Sequence, residues 1–218
     1  MNPQGDVFRV LAGSVPSLSA GRMVAGPLWS YSLPMTQAHS DTALLLIDVQ
    51  RSFEARDYWD PELLPAFRNP LLALIDGCKA KGLPVVRILH VDEDGPFSLD
   101  SGLVKPMAWL PEVHDVEFTK NVHNAFTGTG LDYWLRTRGV RRVIVTGIRT
   151  EQCCETTARV ASDLGYQVDF VTEATLTFPM KHPNGRTFSA ADLKERTELV
   201  LGGRFATIKT VAQVLADL

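Results

Sequence analysis

The stretch Ala43-Leu44-Leu45-Leu46-Ile47-Asp48-Val49-Gln50 decides how this chain folds. Its apolar residues run without polar interruption up to Asp48. That is the pattern of a strand buried on both faces, not of one alternating between core and water. Residues 61–81 follow with Leu63, Leu64, Phe67, Leu71, Leu74, Ile75 and Cys78 at helical spacing, opened by Pro61 and stopped by Gly82. Strand patterns recur at 84–90, 116–120, 142–147, 167–171 and 205–208. Helical patterns fill 129–138, 151–164, 189–201 (with Ser189 as N-cap) and 210–218. This alternation predicts an α/β fold, a parallel sheet with helices on both faces. Ligands in such folds sit outside the carboxyl ends of the strands. The segment from Val91 to Asp115, with Gly95, Pro96, Gly102, Pro106 and Pro111, is long for a connection. Loops of that length in a compact domain usually serve function.

Residues 1–40 stand apart, rich in Gly, Ser and Pro and without a sustained period. They read as an N-terminal extension ahead of a domain of residues 41–218. Two accounts fit them. One is a poorly structured extension or misplaced start, with Met35 just ahead of the first strand. The other is an arm that packs on a neighbour through Leu28, Trp29, Tyr31 and Leu33. At 218 residues the chain is long enough for a full core without staples. Lys and Arg number 22 against 25 Asp and Glu, so the net charge of −3 gives no basic footprint for nucleic acid. No run of apolar residues is long enough for a membrane-spanning helix. Three cysteines do not make a disulfide framework, and they fit a cytoplasmic protein with reduced thiols.

Three strand ends carry reactive groups: Asp48, Lys120 and, just past the strand that ends at Gly147, Cys153. Taken singly, each has an ordinary explanation: a turn or cap, a solvated charge, a small core residue. A parallel sheet brings all three to one rim, and a carboxylate, an ammonium and a thiol together make a nucleophile–base arrangement. Helical geometry separates the two neighbouring cysteines. With Thr150 as N-cap, Cys154 heads the stripe Thr157, Ala158, Ala161, Leu164 that packs on the sheet. Cys153 lies about 100° around the helix, in the first turn. There, free N–H groups and Lys120 would favour a thiolate, the same N–H groups would bind a developing oxyanion, and Asp48 would accept the thiol proton. Cys78 falls on an apolar helix face and reads as packing. A second reading keeps the pocket but makes Cys153 and Cys154 a redox sensor without catalysis. A third makes the chain a hydrolase of a non-amide bond such as a vinyl ether.

The sequence resembles the isochorismatase-like cysteine hydrolases from Thr42 to the C-terminus. The first segment is Leu44 to Gln50 with Phe53, around Asp48. The second is Phe118-Thr119-Lys120 with Ala125-Phe126 and Gly128-Thr129. The third is Gly147-Ile148-Arg149-Thr150-Glu151-Gln152-Cys153 with Thr157-Ala158-Arg159, Ala161 and Gly165-Tyr166. The resemblance implies a Rossmann-like three-layer sandwich with a parallel sheet of about six strands. It also implies an Asp48–Lys120–Cys153 triad, an oxyanion hole from the N–H groups of Thr150 and Cys153, and a cis peptide before Thr150. The reaction implied is hydrolysis of a small molecule's C–N bond through a thioester, in a homodimer or larger homo-oligomer. No cofactor and no metal is called for. Nicotinamidases of this fold carry an Asp-x-His…His metal site. Here the matching region reads His90-Val91-Asp92-Glu93-Asp94, with the order reversed. His90 and Asp92 are therefore read as substrate-shaping or structural. Candidate substrate-binding residues are Phe53, His90, Trp109 and His123, with Trp59 and Phe97 as further wall candidates. For the aromatics, ordinary core burial is the competing explanation.

Overall fold

The computed structural model describes residues 40–218, and both accounts of the N-terminal extension lie outside the described residues. Strands β1 (Thr42–Ile47), β2 (Val85–His90), β3 (Val116–Lys120), β4 (Arg142–Ile148) and β5 (Gln167–Leu176) are joined by helices α1 (Leu64–Ala80), α2 (Leu131–Thr137) and α3 (Glu155–Asp163). A short hairpin, β6 (Met180–Lys181) and β7 (Thr187–Phe188), then leads to α4 (Ala190–Leu201), β8 (Thr207–Ile208) and α5 (Val211–Asp217). The main sheet has the order β3-β2-β1-β4-β5-β8, and every neighbouring pair is parallel. This is a three-layer α/β fold.

All of β1 is buried, as its unbroken apolar run requires. Leu44 and Leu46 point into the layer that holds Phe67, Leu71 and Leu74 of α1 and Val214 of α5. Ala43, Leu45 and Ile47 point the other way, toward Leu131 and Leu135 of α2 and Ala158 and Ala161 of α3. Alternate side chains of one strand thus hold both outer layers, each buried Leu or Ile contributing about 1.5–3 kcal/mol.

The strand order reverses between β1 and β4. The chain builds outward from β1 through β2 to β3, then returns to the other side of β1 to begin β4. The crevice at the carboxyl ends of β1 and β4 is where this topology opens a ligand site. The two strands meet closely there. Gly147 pairs with Ile47 and has φ +124°, and a Cβ on it would lie 1.9 Å from the Ile47 carbonyl oxygen. Only glycine fits.

Several expectations need correction. The helix expected over 151–164 opens as a single π-type turn, Thr150–Cys154, before α3 begins. Its sheet-facing stripe ends at Ala161, because Leu164 is exposed. The cis peptide is the bond between Ile148 and Arg149, one residue earlier than the resemblance implied. Strand β5 runs on past Val171 to Leu176, through a register shift against β4.

Replacing Gly147 with Ala would force a backbone clash at the β1–β4 junction. A strained position of this kind costs about 1–3 kcal/mol. The expected result is a fall in Tm of about 2–12 °C for a domain of this size, read by thermal denaturation.

Candidate active site

Asp48 follows β1 directly and takes φ +53°, the one positive φ outside glycine among the described residues. Aspartate tolerates this left-handed backbone better than most residues. The turn is tied down at once. The Gln50 N–H donates to the Asp48 carbonyl at 2.8 Å, and the Asp48 N–H donates to the Ile88 carbonyl at 2.9 Å. The Asp48 and Lys120 side chains are fully buried, and Lys120 Nζ lies 2.8 Å from Asp48 Oδ2. Lys120 ends β3, two strands away from β1, so its long side chain crosses the end of β2 to reach the carboxylate.

The ammonium has three hydrogens and three acceptors besides Asp48: His90 Nδ1 at 3.0 Å, the Val122 carbonyl at 3.2 Å and Cys153 Sγ at 3.5 Å. Asp48 Oδ2 faces the ammonium at 2.8 Å, and the Lys120 and Cys153 side chains are the hydrogen-bonding neighbours of its carboxylate.

The π-type turn carries Cys153 to the same point. The Arg149 carbonyl takes the N–H groups of Gln152 and Cys154, both at 3.2 Å, and leaves those of Thr150 and Cys153 out of that pairing. The Thr150 hydroxyl donates to Thr175 Oγ1 at 2.8 Å, and Thr175 donates on to the Thr172 carbonyl at 2.9 Å. The extension of β5 beyond Val171 is therefore what anchors the turn that carries Cys153.

The electrostatics differ from the sequence-based expectation at the sulfur. Burial, reinforced by the charge of Asp48, pushes the Cys153 thiol well up, and Lys120 offsets only part of that. The resting group is a neutral thiol, not a thiolate. Burial also raises the Asp48 carboxyl above its ordinary range, against the lowering effect of Lys120. For Lys120, burial works to lower the pKa, but the charge of Asp48 beside it outweighs that and holds the ammonium protonated.

A cavity of about 370 Å³ opens over these groups. Asp48 and Cys153 reach it, Phe53 and Phe97 meet edge to face at 4.9 Å in its apolar wall, and His90 and His123 line it. Trp109 does not. It packs edge to face on Phe67 of α1, 5.9 Å between ring centres, because its loop folds back over that helix. Trp59 likewise packs on Phe178 instead of the cavity. The sequence reading missed Arg56, Tyr58, Asn121 and Gln152, which supply the polar lining. Gln152 was the one within reach of sequence reasoning, since it adjoins Cys153. A larger cavity of about 600 Å³ lies between the β6–β7 hairpin and α4, and the reactive groups do not line it.

His90 and Asp92 do not fit the nicotinamidase metal pattern. The two His90 nitrogens face Asp92 Oδ1 at 2.8 Å and the Lys120 ammonium. The next histidine in the chain, His114, sits 3.5 Å from Glu112 instead. Cys153 and Cys154 are free thiols, and Cys154 faces the core as its helical position implies.

The Isochorismatase domain model matches residues 42–203. The chain belongs to this family and is a hydrolase. It is 30% identical over 179 residues to the isochorismatase family protein YrdC of Bacillus subtilis, itself uncharacterized, covering 80% of this chain and 95% of that one. It is 33% identical over 154 residues to Nicotinamidase 3 of Arabidopsis thaliana, covering 62% and 73% of the two chains. A crystal structure assigned as an isochorismatase from Burkholderia xenovorans matches with a TM-score of 0.72 at 29% identity, covering 81% of this chain and 86% of that one.

Cys153 lines the cavity while Cys78 and Cys154 have no exposure, and burial pushes the Cys78 thiol up to about 12. Iodoacetamide added to the folded enzyme should therefore label Cys153 first, with the order read by peptide mass spectrometry. Labelling of all three cysteines at one rate would contradict the assignment of Cys153 to the cavity.

Proposed function

We propose that this hydrolase cleaves the C–N bond of a small amide or carbamoyl compound through a thioester on Cys153. One observation carries the reading: the Cys153 thiol and the Asp48 carboxylate line one cavity, and the buried Lys120 ammonium reaches both. The names of two matched relatives, Nicotinamidase 3 and Ureidoacrylate amidohydrolase RutB, support it.

In the first half of the reaction Asp48 takes the Cys153 proton as sulfur attacks the substrate carbonyl carbon. The N–H groups of Thr150 and Cys153 receive the resulting oxyanion, and such donors are worth about 3–4 kcal/mol each when preorganised. Protonated Asp48 then delivers its proton to the leaving nitrogen. The C–N bond breaks, the amine or ammonia departs, and the acyl group stays on sulfur. In the second half water replaces the amine: Asp48 removes its proton, hydroxide adds to the thioester, and the C–S bond breaks. The acid is released and the proton returns to Cys153. Lys120 remains protonated throughout and balances whichever of Asp48 or Cys153 is negative. Phe53 and Phe97 hold the apolar part of the substrate, and His123, Arg56 and Gln152 meet its polar part.

A panel of amides, ureides and carbamoyl compounds, read by ammonia release, identifies the substrate class. Cys153→Ala should abolish turnover with an unchanged circular dichroism spectrum and Tm, and the wild-type enzyme should yield an acyl adduct on Cys153 in quenched samples. Turnover surviving in the alanine variant sinks the mechanism.

Asp48 works as a base only when ionised, and burial raises its pKa, so activity is lost as the pH falls through a value above the ordinary carboxylate range. The acid limb of kcat/KM should lie there, and Asp48→Asn should lower kcat by about 100- to 10,000-fold.

A further inference from the structure

We propose that His90 is a positioning residue, whose ring holds the Lys120 ammonium where it can serve both Asp48 and Cys153, and that Asp92 fixes the tautomer this requires. The proposal rests on the roles given above to Asp48, Lys120 and Cys153, and it adds to the substrate-binding role first read for His90, which lines the cavity.

His90 ends β2, between the strands that deliver Asp48 and Lys120, and is paired in register with Lys120. Its backbone is gripped on both sides by the buried Gln50 amide: the His90 N–H donates to Gln50 Oε1 at 2.7 Å, and Gln50 Nε2 donates to the His90 carbonyl at 3.0 Å. Gln50 Nε2 also donates to Ser52 Oγ at 2.9 Å. The Phe97 ring meets the imidazole edge to face, 5.8 Å between centres.

An ammonium can only donate, so Nδ1, 3.0 Å from Lys120 Nζ, must present its lone pair. The ring proton then sits on Nε2, which donates to Asp92 Oδ1 at 2.8 Å. The opposite tautomer would aim an N–H at the ammonium and leave Nε2 a lone pair against a carboxylate. A neutral acceptor at this point shares the ammonium with Asp48, 2.8 Å away, and leaves a hydrogen directed at the Cys153 sulfur. Without it, Lys120 is free to settle on the carboxylate, which weakens Asp48 as a base and withdraws the positive charge from the sulfur.

The test compares two variants of similar bulk that differ in the acceptor, His90→Leu and His90→Asn, with Asp92→Ala as a third that leaves the ring in place. The first readout is the iodoacetamide alkylation rate of Cys153 at pH 8, which needs no substrate. Leu is expected to slow it about tenfold, Asn to restore it to within threefold of wild type, and Asp92→Ala to slow it severalfold. The second readout is turnover of a substrate from the panel, with kcat lowered in the Leu variant and KM little changed. A Leu variant alkylated at the wild-type rate or faster, or an Asn variant as slow as Leu, overturns the proposal. If the Leu variant does not fold, an Asp92→Ala enzyme with wild-type alkylation overturns it. Failure of the thioester mechanism shows separately, as turnover without Cys153, and leaves the alkylation comparison standing.

Discussion

The buried contact between Asp48 and Lys120 is the constraint around which the rest of the molecule is arranged. Both side chains are withdrawn from solvent and stand 2.8 Å apart. Taking two charges out of water costs several kcal/mol per ion, and a well-packed apolar pair in their place is often at least as stable. The pair is thus poor evidence for stability and good evidence for chemistry. Its geometry depends on three neighbouring strands ending at the same level: β1 delivers the carboxylate, β3 the ammonium, and β2 the imidazole between them. Close contact of Gly147 with Ile47 then brings β4 and the turn that carries Cys153 alongside. A change to any of these strand ends displaces a charge that has no water to fall back on.

The sheet was legible in the sequence because its signal is local. A five-residue apolar run, a helical stripe ending in Cys78, and Ser189 as an N-cap each depend on a few adjacent residues. Ser189 does form a capping box with Asp192. The assignment of Cys154 to the core came from helical spacing in the same way, although Leu164, one turn beyond the buried stripe, is exposed. What escaped was decided by distant partners. Strand β5 looked complete at Val171, because its continuation is held by Thr175 and Thr172 bonding toward Thr150, a contact with no local pattern. Trp109 and Trp59 were as plausible for the cavity as Phe53 and Phe97. Only the folding of their loops over Phe67 and Phe178 separates the two pairs. Gln50 was quoted as part of a motif, but its grip on both sides of the His90 backbone spans a separation of 40 residues.

The state of the sulfur was the least readable feature, because it is a balance of opposing terms. A helix N-terminus and a nearby lysine argue for a thiolate. Desolvation and the negative charge of Asp48 argue against one, and they prevail. The difference matters to how the site works. Above the raised pKa of Asp48, and with the thiol neutral, the buried group contains one anion, Asp48, and one cation, Lys120. Moving the Cys153 proton onto Asp48 produces a neutral acid and a thiolate, so the site still contains one anion and one cation. The negative charge shifts between two positions that the same ammonium touches, at 2.8 Å on the oxygen side and 3.5 Å on the sulfur side. In the proposed activation no step leaves an uncompensated charge in a low-dielectric interior, where that would be most expensive. In the proposed mechanism Cys153 can therefore stay protonated at rest and still be made available by a proton transfer to Asp48 once a carbonyl is in place to receive it.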